Sequence, residues 1–365
     1  MKVAYYSPMP PERSGIADYS ALLVPALRER VGVDVAPCGG TASGDVALYH
    51  VGNDPKVHGW ILERLRARPG VVVLHDFVLH HLVAGLTLGR KDTQAYLGAL
   101  ERDAGIAGRL LGLGVVDGCL PPLWEVRPQD FPLCGEVLEL ADGLVVHSRY
   151  VEEQVRTQGY DGRVSRVPMP AWPAPTVEAA HVDGEPVFGA FGHMNMSKRI
   201  PQLLRAFARF LDSHPEGRLV LAGSADPALE LEWRIEQEGL GNAVVREDYV
   251  PEERLWALLR RVDAAVSLRA PTMGETSAIA IRALSAGTPL LVSDVGWFSE
   301  LPDDVALKVA PDEHEVRNLV AALETLSTPG VREAMSARAR ALAETEHDLG
   351  HAADLYAAAL DGARS

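Results

Sequence analysis

Hydrophobic and polar positions alternate in blocks along this chain. Short continuous apolar runs, such as KVAYYS at residues 2–7 and GVVVLHD at residues 70–76, are typical of buried strands. Segments with apolar residues at helical spacing, such as residues 16–30 and the stretch PKVHGWILERLRARPG, lie between these runs. Because strands that alternate with helices form parallel sheets covered on both faces, the pattern predicts a doubly wound α/β fold.

The alternation occurs twice, and a proline-rich stretch without periodicity separates the two halves. The chain of 365 residues is also longer than one hydrophobic core usually serves. We predict a Rossmann-like N-terminal domain at 1–170, a linker at 171–186, a Rossmann-like C-terminal domain at 187–345, and a C-terminal helix at 346–365 that can pack back on the first domain. Doubly wound units bind ligands beyond the carboxyl ends of their strands, so we expect the two units to face each other across a ligand-binding cleft.

Composition and charge exclude several classes of protein. With 47% apolar and 23% charged residues, the chain does not have the composition of a disordered protein. Its formal net charge of −15 argues against nucleic acid as the main partner, although a local site can still attract a small anion. The near-neutral first half gives little attraction to anionic lipid, so peripheral membrane contact is left open without support.

Cysteine usage and hydropathy indicate the compartment. The three cysteines, Cys38, Cys119 and Cys134, have an odd count and no metal-type spacing, which fits a reducing environment. No apolar run reaches the length of about 18 residues that a membrane span needs, and the first residues show no signal-peptide pattern. We therefore expect a cytoplasmic protein without a transmembrane span.

The stretch PTMGETSAIAIRALSAGTP combines a glycine-containing loop with the start of an apolar helix. Gly274 permits a tight turn, and Thr276 or Ser277 can cap the helix, whose free N–H groups and positive dipole end can bind an anion. Arg282 lies in the apolar helix and needs a negative partner, either a phosphate or Glu275. A capped helix with an ordinary internal Glu–Arg ion pair explains the same residues, and spacing alone does not separate the two interpretations.

The stretch FGAFGHMNMSKRI is a second candidate anion site. A strand ends at Gly192, and Lys198 and Arg199 open the next helix. Two cations after such a turn suit a diphosphate, and a solvated pair is the alternative. Because cations at a helix start oppose the helix dipole, their presence favours a ligand.

The first half of the chain contains weaker candidates. Ser14 and Gly15 follow the first strand, where Ser14 can equally be an ordinary helix cap, and the loop lacks the G-x-G-x-x-G pattern of dinucleotide sites. His75 follows a buried strand at its carboxyl end, a typical ligand position, but His75, His80 and His81 have poor spacing for metal, so we predict no metal site. The region 88–135 could line an acceptor site, but helical packing is the preferred interpretation.

Taken together, the stretches FGHMNMSKRIPQLLRAF, LAGSAD, YVPEERLWALLRRVDAAVSL and PTMGETSAIAIRALSAGTPLLVSDVGWFSELPDD resemble the retaining nucleotide-sugar glycosyltransferases of glycosyltransferase family 4. The resemblance is strong over residues 187–310 and weaker over 1–150, where SPMPPERSGIADYS, LHD and VVHSRY carry it. It implies the two-domain GT-B fold. It also implies transfer from a nucleoside-diphosphate sugar with retention of configuration, without a metal or another cofactor.

The resemblance assigns roles to residues of both halves. The loop with Ser14 and Gly15 lies near the donor diphosphate in that family, and a histidine at the position of His75 contacts the donor sugar. Gly192 and Lys198 match the phosphate-binding motif of the family.

Two departures from the family pattern are visible. His193 stands where the phosphate-binding motif usually has an arginine, and we expect Arg199 to supply part of that charge. The family usually has two glutamates separated by seven residues, of which the first touches the sugar hydroxyls and the second holds the donor ribose. Here Gly274 and Arg282 occupy those places. Glu275 is one residue away from the first place and can replace that glutamate if the loop shifts.

The resemblance and the residues lead to one functional prediction. His75, Lys198 and Glu275 are the predicted catalytic residues. The predicted donor-binding residues are Ser14, Gly15, Gly192, His193, Arg199, Gly274, Thr276, Ser277 and Arg282. The acceptor is a saccharide, glycan or small molecule, and the donor base, the sugar, the linkage and the oligomeric state are left open. The alternatives are a catalytically weak or inactive nucleotide-sugar-binding protein of the same fold, and a nucleotide-sugar epimerase.

Overall fold

The computed structural model describes residues 1–363, which form two units. The first unit runs from Met1 to Met169 and includes the C-terminal segment that begins at Leu349. The second unit begins at Pro170 and ends at Asp348. Four residues interrupt this simple division, because the loop Met273–Thr276 is part of the first unit. The predicted boundaries place that loop in the C-terminal domain.

A six-stranded parallel sheet, in the order β2-β1-β3-β4-β5-β6, forms the centre of the first unit. Its strands are β1 (Lys2–Tyr6), β2 (Gly32–Val35), β3 (Val46–Val51), β4 (Gly70–Leu74), β5 (Ala141–Val146) and β6 (Val164–Arg166). Its helices are α1 (Gly15–Arg28), α2 (Pro55–Ala67), α3 (His80–Leu86), α4 (Thr93–Val116), α5 (Leu123–Val126), α6 (Gly135–Leu140), α7 (Arg149–Thr157) and, from the end of the chain, α14 (Leu349–Gly362). β3 and β4 are buried along their whole length, which explains their continuous apolar sequences.

The second unit has the same architecture, with the strand order β12-β11-β10-β7-β8-β9 and all pairs parallel. Its strands are β7 (Val187–Phe191), β8 (Arg218–Ala222), β9 (Val244–Glu247), β10 (Ala264–Ser267), β11 (Leu290–Ser293) and β12 (Ala306–Val309). Its helices are α8 (Ile200–Phe210), α9 (Leu231–Gln237), α10 (Glu252–Arg261), α11 (Ala278–Ala286), α12 (Glu315–Leu326) and α13 (Pro329–Thr345). The predicted doubly wound fold is therefore present twice.

Serine side chains determine where three helices begin. Ser14, Ser148 and Ser277 each accept a hydrogen bond from the backbone N–H three residues later, at 3.0, 3.1 and 3.2 Å. Each bond satisfies one of the N–H groups that a helix start leaves without a partner. The sequence predicts a cap at Ser14 and one at Thr276 or Ser277, because this signal is local.

The strand orders locate the edge at which ligands are expected. In the first sheet the order reverses between β1 and β3, and in the second sheet it reverses between β10 and β7. Loops at the carboxyl ends of strands leave a crevice at such a reversal, and open α/β sheets bind their ligands there. Gly192 follows β7 directly, so it lies at the reversal of the second sheet.

The helical region after α3 is packed on one side and exposed on the other. Tyr96, Leu97 and Leu100 are buried in a small core cluster, as the packing interpretation predicted. The outer side of this region, however, exposes apolar side chains, with Ile106 65% and Leu110 60% exposed. Among the described residues, no helix is both long enough and apolar enough to cross a membrane.

Candidate donor site and histidine cluster

The end of β7 forms the centre of the candidate site. Gly192 has a φ of +81°, which glycine adopts without strain, and its N–H donates to the Ala222 carbonyl at 2.9 Å. The Nζ atom of Lys198 donates to the Phe191 carbonyl at 2.6 Å. A Cβ atom on Gly192 would lie 3.1 Å from that Nζ atom. The ammonium group is therefore held beside a glycine backbone at the edge where a ligand is expected.

Gly223 is a site residue that the sequence reasoning missed. Its φ is +141°, and a Cβ atom there would lie 2.2 Å from the carbonyl oxygen of Gly192. Only glycine permits this close approach of two backbone segments. The signal was the glycine that follows the apolar run RLVLA, at the end of β8.

His193 and Ser224 extend the same edge. The Nδ1 atom of His193 and the Oγ atom of Ser224 are 2.9 Å apart. This bond fixes the imidazole at the position where the resembled family has an arginine. The side chain thus has one ring nitrogen engaged and is largely exposed.

Arg199, which we predict to share the charge on the diphosphate, has a partner within the protein. Its guanidinium group donates from Nε and Nη2 to both carboxylate oxygens of Glu315, a residue that is only 2% exposed. A buried carboxylate needs such a partner, because isolated burial of a charge is costly. Arg199 therefore neutralises Glu315 at the start of α12. Of the two predicted cations, Lys198 is the one whose charge lies beside Gly192.

The N-terminus of α11 lies beside Gly192. A Cβ atom on Gly192 would be 3.7 Å from the Cγ1 atom of Ile279, in the first turn of this helix. Ser277 caps the helix, while the Oγ1 atom of Thr276 is buried without a hydrogen-bond partner within residues 1–363. A buried hydroxyl without a partner is unusual in a native protein and is consistent with a polar ligand group.

The loop with Gly274 and Glu275 has a defined internal structure. Gly274 has a φ of +86°, and a Cβ atom there would lie 2.6 Å from the Cβ atom of Phe77. The Glu275 carboxylate accepts a hydrogen bond from the Met273 N–H at 2.7 Å. Burial and the negative charge of Glu275 raise the pKa of Tyr150.

Arg282 has a structural environment that differs from the prediction. Its guanidinium carbon lies 3.8 Å from the centre of the Trp172 ring, and its Nη2 atom lies 3.6 Å from the Glu252 carboxylate. The cation–π contact is favourable because the side chain is only 4% exposed. The structure thus gives Arg282 an ion pair with Glu252, and Trp172 supplies an additional partner. The donor-binding role of Arg282 stays a prediction.

Ser14 and Gly15 occupy the loop after β1 in the first unit. The Ser14 hydroxyl caps α1, as the alternative interpretation stated. A Cβ atom on Gly15 would meet no heavy atom within 4 Å, so the backbone at this helix start is open. That Ser14 and Gly15 lie near the donor diphosphate stays a prediction.

His75 belongs to a cluster of buried histidines in the first unit. It is 6% exposed, and its Nε2 atom lies 2.9 Å from the Nδ1 atom of His50. Burial lowers the pKa of both imidazoles well below the usual value, and His147 lowers both further. His75 therefore acts as a neutral hydrogen-bonding group rather than as a cation. The sequence missed His50, although β3, β4 and β5 each end at or beside a histidine.

His80 and His81, the other members of the rejected metal cluster, have protein partners. The ring nitrogens of His80 lie 2.7 Å from the Phe131 carbonyl and 3.0 Å from the Tyr96 hydroxyl. The Nδ1 atom of His81 lies 3.2 Å from the Asn53 amide nitrogen. Within residues 1–363, no group of three or more His, Cys, Asp or Glu side chains could hold a metal ion.

We expect His50 to determine the tautomer of His75. The Nε2 atom of His50 is buried without a hydrogen-bond partner within the described part of the chain. A buried N–H without an acceptor is less tolerable than an acceptor without a donor, so the His50 proton should be on Nδ1 and be donated to Nε2 of His75. His75 then carries its own proton on Nδ1. Nitrogen-15 NMR of the imidazoles measures this directly.

The matched variants for this test are His50→Phe and His50→Asn. The phenyl ring removes the donor, so the Nδ1–H form of His75 should lose its preference. The asparagine amide can still donate to Nε2 of His75 and should preserve that form. A wild-type spectrum in which His75 carries its proton on Nε2 would contradict the assignment.

The buried histidines should also make the first unit sensitive to acid. Burial lowers the pKa of His58 and of His80 to about 4. The unfolded chain binds these protons near pH 6.5, whereas the folded chain does not, so stability falls as the pH decreases from about 6.5 towards 4. The expected loss is about 1.4 kcal/mol per pH unit for each histidine. Urea titrations at several pH values measure this slope.

His58→Asn is the matched variant for the acid prediction. The Nδ1 atom of His58 lies 3.1 Å from the His50 carbonyl, and an asparagine amide can donate there without titrating. The variant should reduce the slope by about 1.4 kcal/mol per pH unit. A first unit whose stability is flat or increases over this interval would refute the prediction.

Comparison with known proteins finds one family that part of the chain matches. Residues 177–342 match the family model of glycosyl transferases group 1. This part of the chain is therefore similar to the group 1 glycosyltransferases. It includes Gly192, Lys198 and the start of α11, which form the candidate donor site.

A curated relative supports the same assignment over a shorter segment. An uncharacterized glycosyltransferase of Methanocaldococcus jannaschii is 34% identical over 120 residues, which are 33% of this chain and 30% of the relative. The chain spans about a third of the length of the curated relatives it matches.

Solved structures match the fold over nearly the whole chain. Sucrose-phosphate synthase of Thermosynechococcus elongatus has a TM-score of 0.67 at 17% identity and covers 98% of this chain and 97% of its own. HepE of Anabaena, solved in complex with UDP and glucose, has a TM-score of 0.64 at 16% identity, covering 99% and 100%. At such low identity the likeness shows the fold alone. These matches confirm the predicted GT-B fold class, which has two parallel six-stranded sheets.

Proposed function

We propose that this protein is a glycosyltransferase that moves a sugar from a nucleoside-diphosphate sugar to an acceptor hydroxyl with retention of configuration. The observation that carries the proposal is the position of the Lys198 ammonium beside Gly192 and the first turn of α11. A cation, a glycine backbone without a side chain and a helix N-terminus together form an anion site suited to a diphosphate. The group 1 match over residues 177–342 gives this site its reaction class.

Stabilisation of the leaving group is the main electrostatic requirement of this reaction. The bond between the anomeric carbon and the diphosphate oxygen breaks, and the acceptor oxygen forms the new bond to that carbon. Negative charge grows on the diphosphate, where Lys198 and the α11 dipole stabilise it in place. A donor phosphate oxygen accepts the proton of the acceptor hydroxyl. The neutral imidazole of His75 contributes hydrogen bonds to the sugar.

A panel of nucleotide sugars tests the proposal. One of the UDP, GDP or ADP donors should release its nucleoside diphosphate, and release should increase with an acceptor present. The matching nucleoside diphosphate alone should raise the unfolding temperature, because a ligand that binds only the folded state stabilises it by mass action. Failure of every nucleoside diphosphate to raise the unfolding temperature would refute the proposed function.

Glu275 should affect turnover more than nucleotide binding. We propose that its carboxylate contacts sugar hydroxyls, as the glutamate does in the resembled family. Glu275→Gln retains an oxygen that can accept from the Met273 N–H but loses the charge. We expect turnover to fall about tenfold, the scale of one lost hydrogen bond to a charged group, with nearly unchanged nucleoside-diphosphate affinity. An unchanged rate, or an equal loss of affinity, would count against this role.

A second candidate function is a weak or inactive nucleotide-sugar-binding protein. The observation that favours it is Arg282, which stacks on Trp172 and pairs with Glu252 where the resembled family has a glutamate for the donor ribose. This protein would bind a nucleoside diphosphate but release none from any donor. The same panel separates the two candidates.

A further inference from the structure

The first unit contains a cavity of about 600 Å³ that lies apart from the predicted donor residues. Its walls come from the loop after β1, from α1, from the segment after β2 and from α2. Ser7 and Ala36, which directly follow β1 and β2, both line it. The cavity is thus located at the carboxyl ends of two parallel strands, the edge at which such sheets bind ligands. Its volume is in the range of small-molecule sites, about 300–1,000 Å³.

The lining of this cavity is largely apolar and includes an aromatic ring. Met9, Val24 and Ala36 contribute aliphatic surface, and the half-buried Trp60 contributes its indole. The Trp60 N–H makes no hydrogen bond within residues 1–363. A cavity with this lining can bind the apolar or aromatic part of a ligand, and the indole N–H can donate one hydrogen bond to that ligand.

Two cations stand at the same cavity. Arg28 and Lys56 both line it and are both exposed, and neither side chain makes an ion pair or a hydrogen bond within the described residues. Glu12 is the one acidic residue of the lining. The cavity wall therefore has a formal charge of +1 (two cations and one carboxylate) in a chain whose net charge is −15. This local excess of positive charge attracts an anionic group.

We propose that this cavity binds the acceptor, and that the acceptor is a small molecule with an apolar or aromatic body and one carboxylate or phosphate group. The assignment as an acceptor rests on the proposed function. The loop after β1 forms one wall and continues directly into Ser14 and Gly15, the predicted contacts of the donor diphosphate.

Anilinonaphthalene sulfonate is a suitable probe, because it combines an aromatic body with one anion. Bound in the cavity, it should receive energy from Trp60 when tryptophan is excited. Trp60→Phe keeps an aromatic wall and should remove most of this sensitised emission while the probe still binds. Sensitised emission that is unchanged in Trp60→Phe would place the probe elsewhere and overturn the proposal.

The charge requirement is tested by a pair of double variants. Arg28→Met with Lys56→Met should weaken binding of the sulfonate probe at least about tenfold, the scale for losing hydrogen bonds to a charged group. The neutral analogue phenylnaphthylamine should bind as before. Lys91→Met with Arg205→Met removes the same charge away from the cavity and should leave both probes unaffected. Equal affinity of the sulfonate probe for both double variants would contradict the proposal.

Two displacing compounds distinguish the source of the ligand. Para-hydroxyphenylacetate represents soluble aryl acids, and farnesyl phosphate represents lipid phosphates. Displacement of the probe by either one, with its uncharged amide or alcohol at least about tenfold weaker, supports the proposal and names the source. Displacement by neither overturns it. A nucleoside diphosphate that binds while both compounds fail would leave the proposed function intact, so the two failures are distinguishable.

Discussion

Lys198→Ala is expected to lower nucleoside-diphosphate release at least about 100-fold, the scale for losing one transition-state donor. The Lys198 Nζ atom donates to the Phe191 carbonyl at 2.6 Å and lies beside the backbone of Gly192. The charge on the diphosphate grows as the sugar leaves, so the loss should appear mainly in kcat. Steady-state release from the donor that the panel identifies measures the effect.

Lys91→Ala is the matched control for this prediction, because it removes one lysine from a surface turn of the first unit. Its rate should equal that of the wild type. Lys198→Arg keeps the charge but not the compact ammonium, so it should recover only part of the rate. Near-normal turnover in Lys198→Ala would show that the leaving group is stabilised by other residues.

Gly223→Ala is expected to destabilise the second unit by about 2–4 kcal/mol and to weaken nucleoside-diphosphate binding. The φ of +141° at Gly223 is strained for alanine, and the new Cβ atom would be 2.2 Å from the Gly192 carbonyl oxygen. The obstacle is backbone, so relief requires that Gly192 itself move. Urea titration and calorimetric titration with the nucleoside diphosphate measure the two effects.

Gly241→Ala provides the control in the same unit. A Cβ atom at Gly241 would meet no heavy atom within 4 Å, and its φ is outside the left-handed region. This variant should keep both stability and affinity close to wild type. If Gly223→Ala matched Gly241→Ala in both measurements, the close contact with Gly192 would have no energetic importance.

The architecture was predictable from the sequence because its signals are local. Strands such as β3 and β4 are buried along their whole length, so their sequences are continuous apolar runs. The caps by Ser14 and Ser277 follow from one side chain and the backbone three residues later. The same locality places Gly192 and Lys198 at one strand end.

The partners of the charged residues were not predictable, because they come from distant parts of the chain. Arg199 binds Glu315, which is 116 positions away. Arg282 is held by Trp172 of the linker region and by Glu252 of α10. No spacing rule connects such residues, so the sequence does not indicate these protein partners.

Neighbouring strands contained a signal that the sequence reasoning did not combine. His50 lies in β3, and His75 and His147 directly follow β4 and β5. Parallel strands that are adjacent bring their carboxyl ends together, so three such histidines meet in one cluster. The sequence analysis combined His75 only with His80 and His81, which follow it along the chain, and it missed His50 for that reason.

The structure of the protein bound to the nucleoside diphosphate tests the central claim most directly. We expect both phosphates at the end of β7, with oxygen atoms about 3 Å from the Lys198 Nζ atom and from N–H groups in the first turn of α11. The result that would contradict the account is a diphosphate bound at another place, or a Lys198 side chain turned away from it.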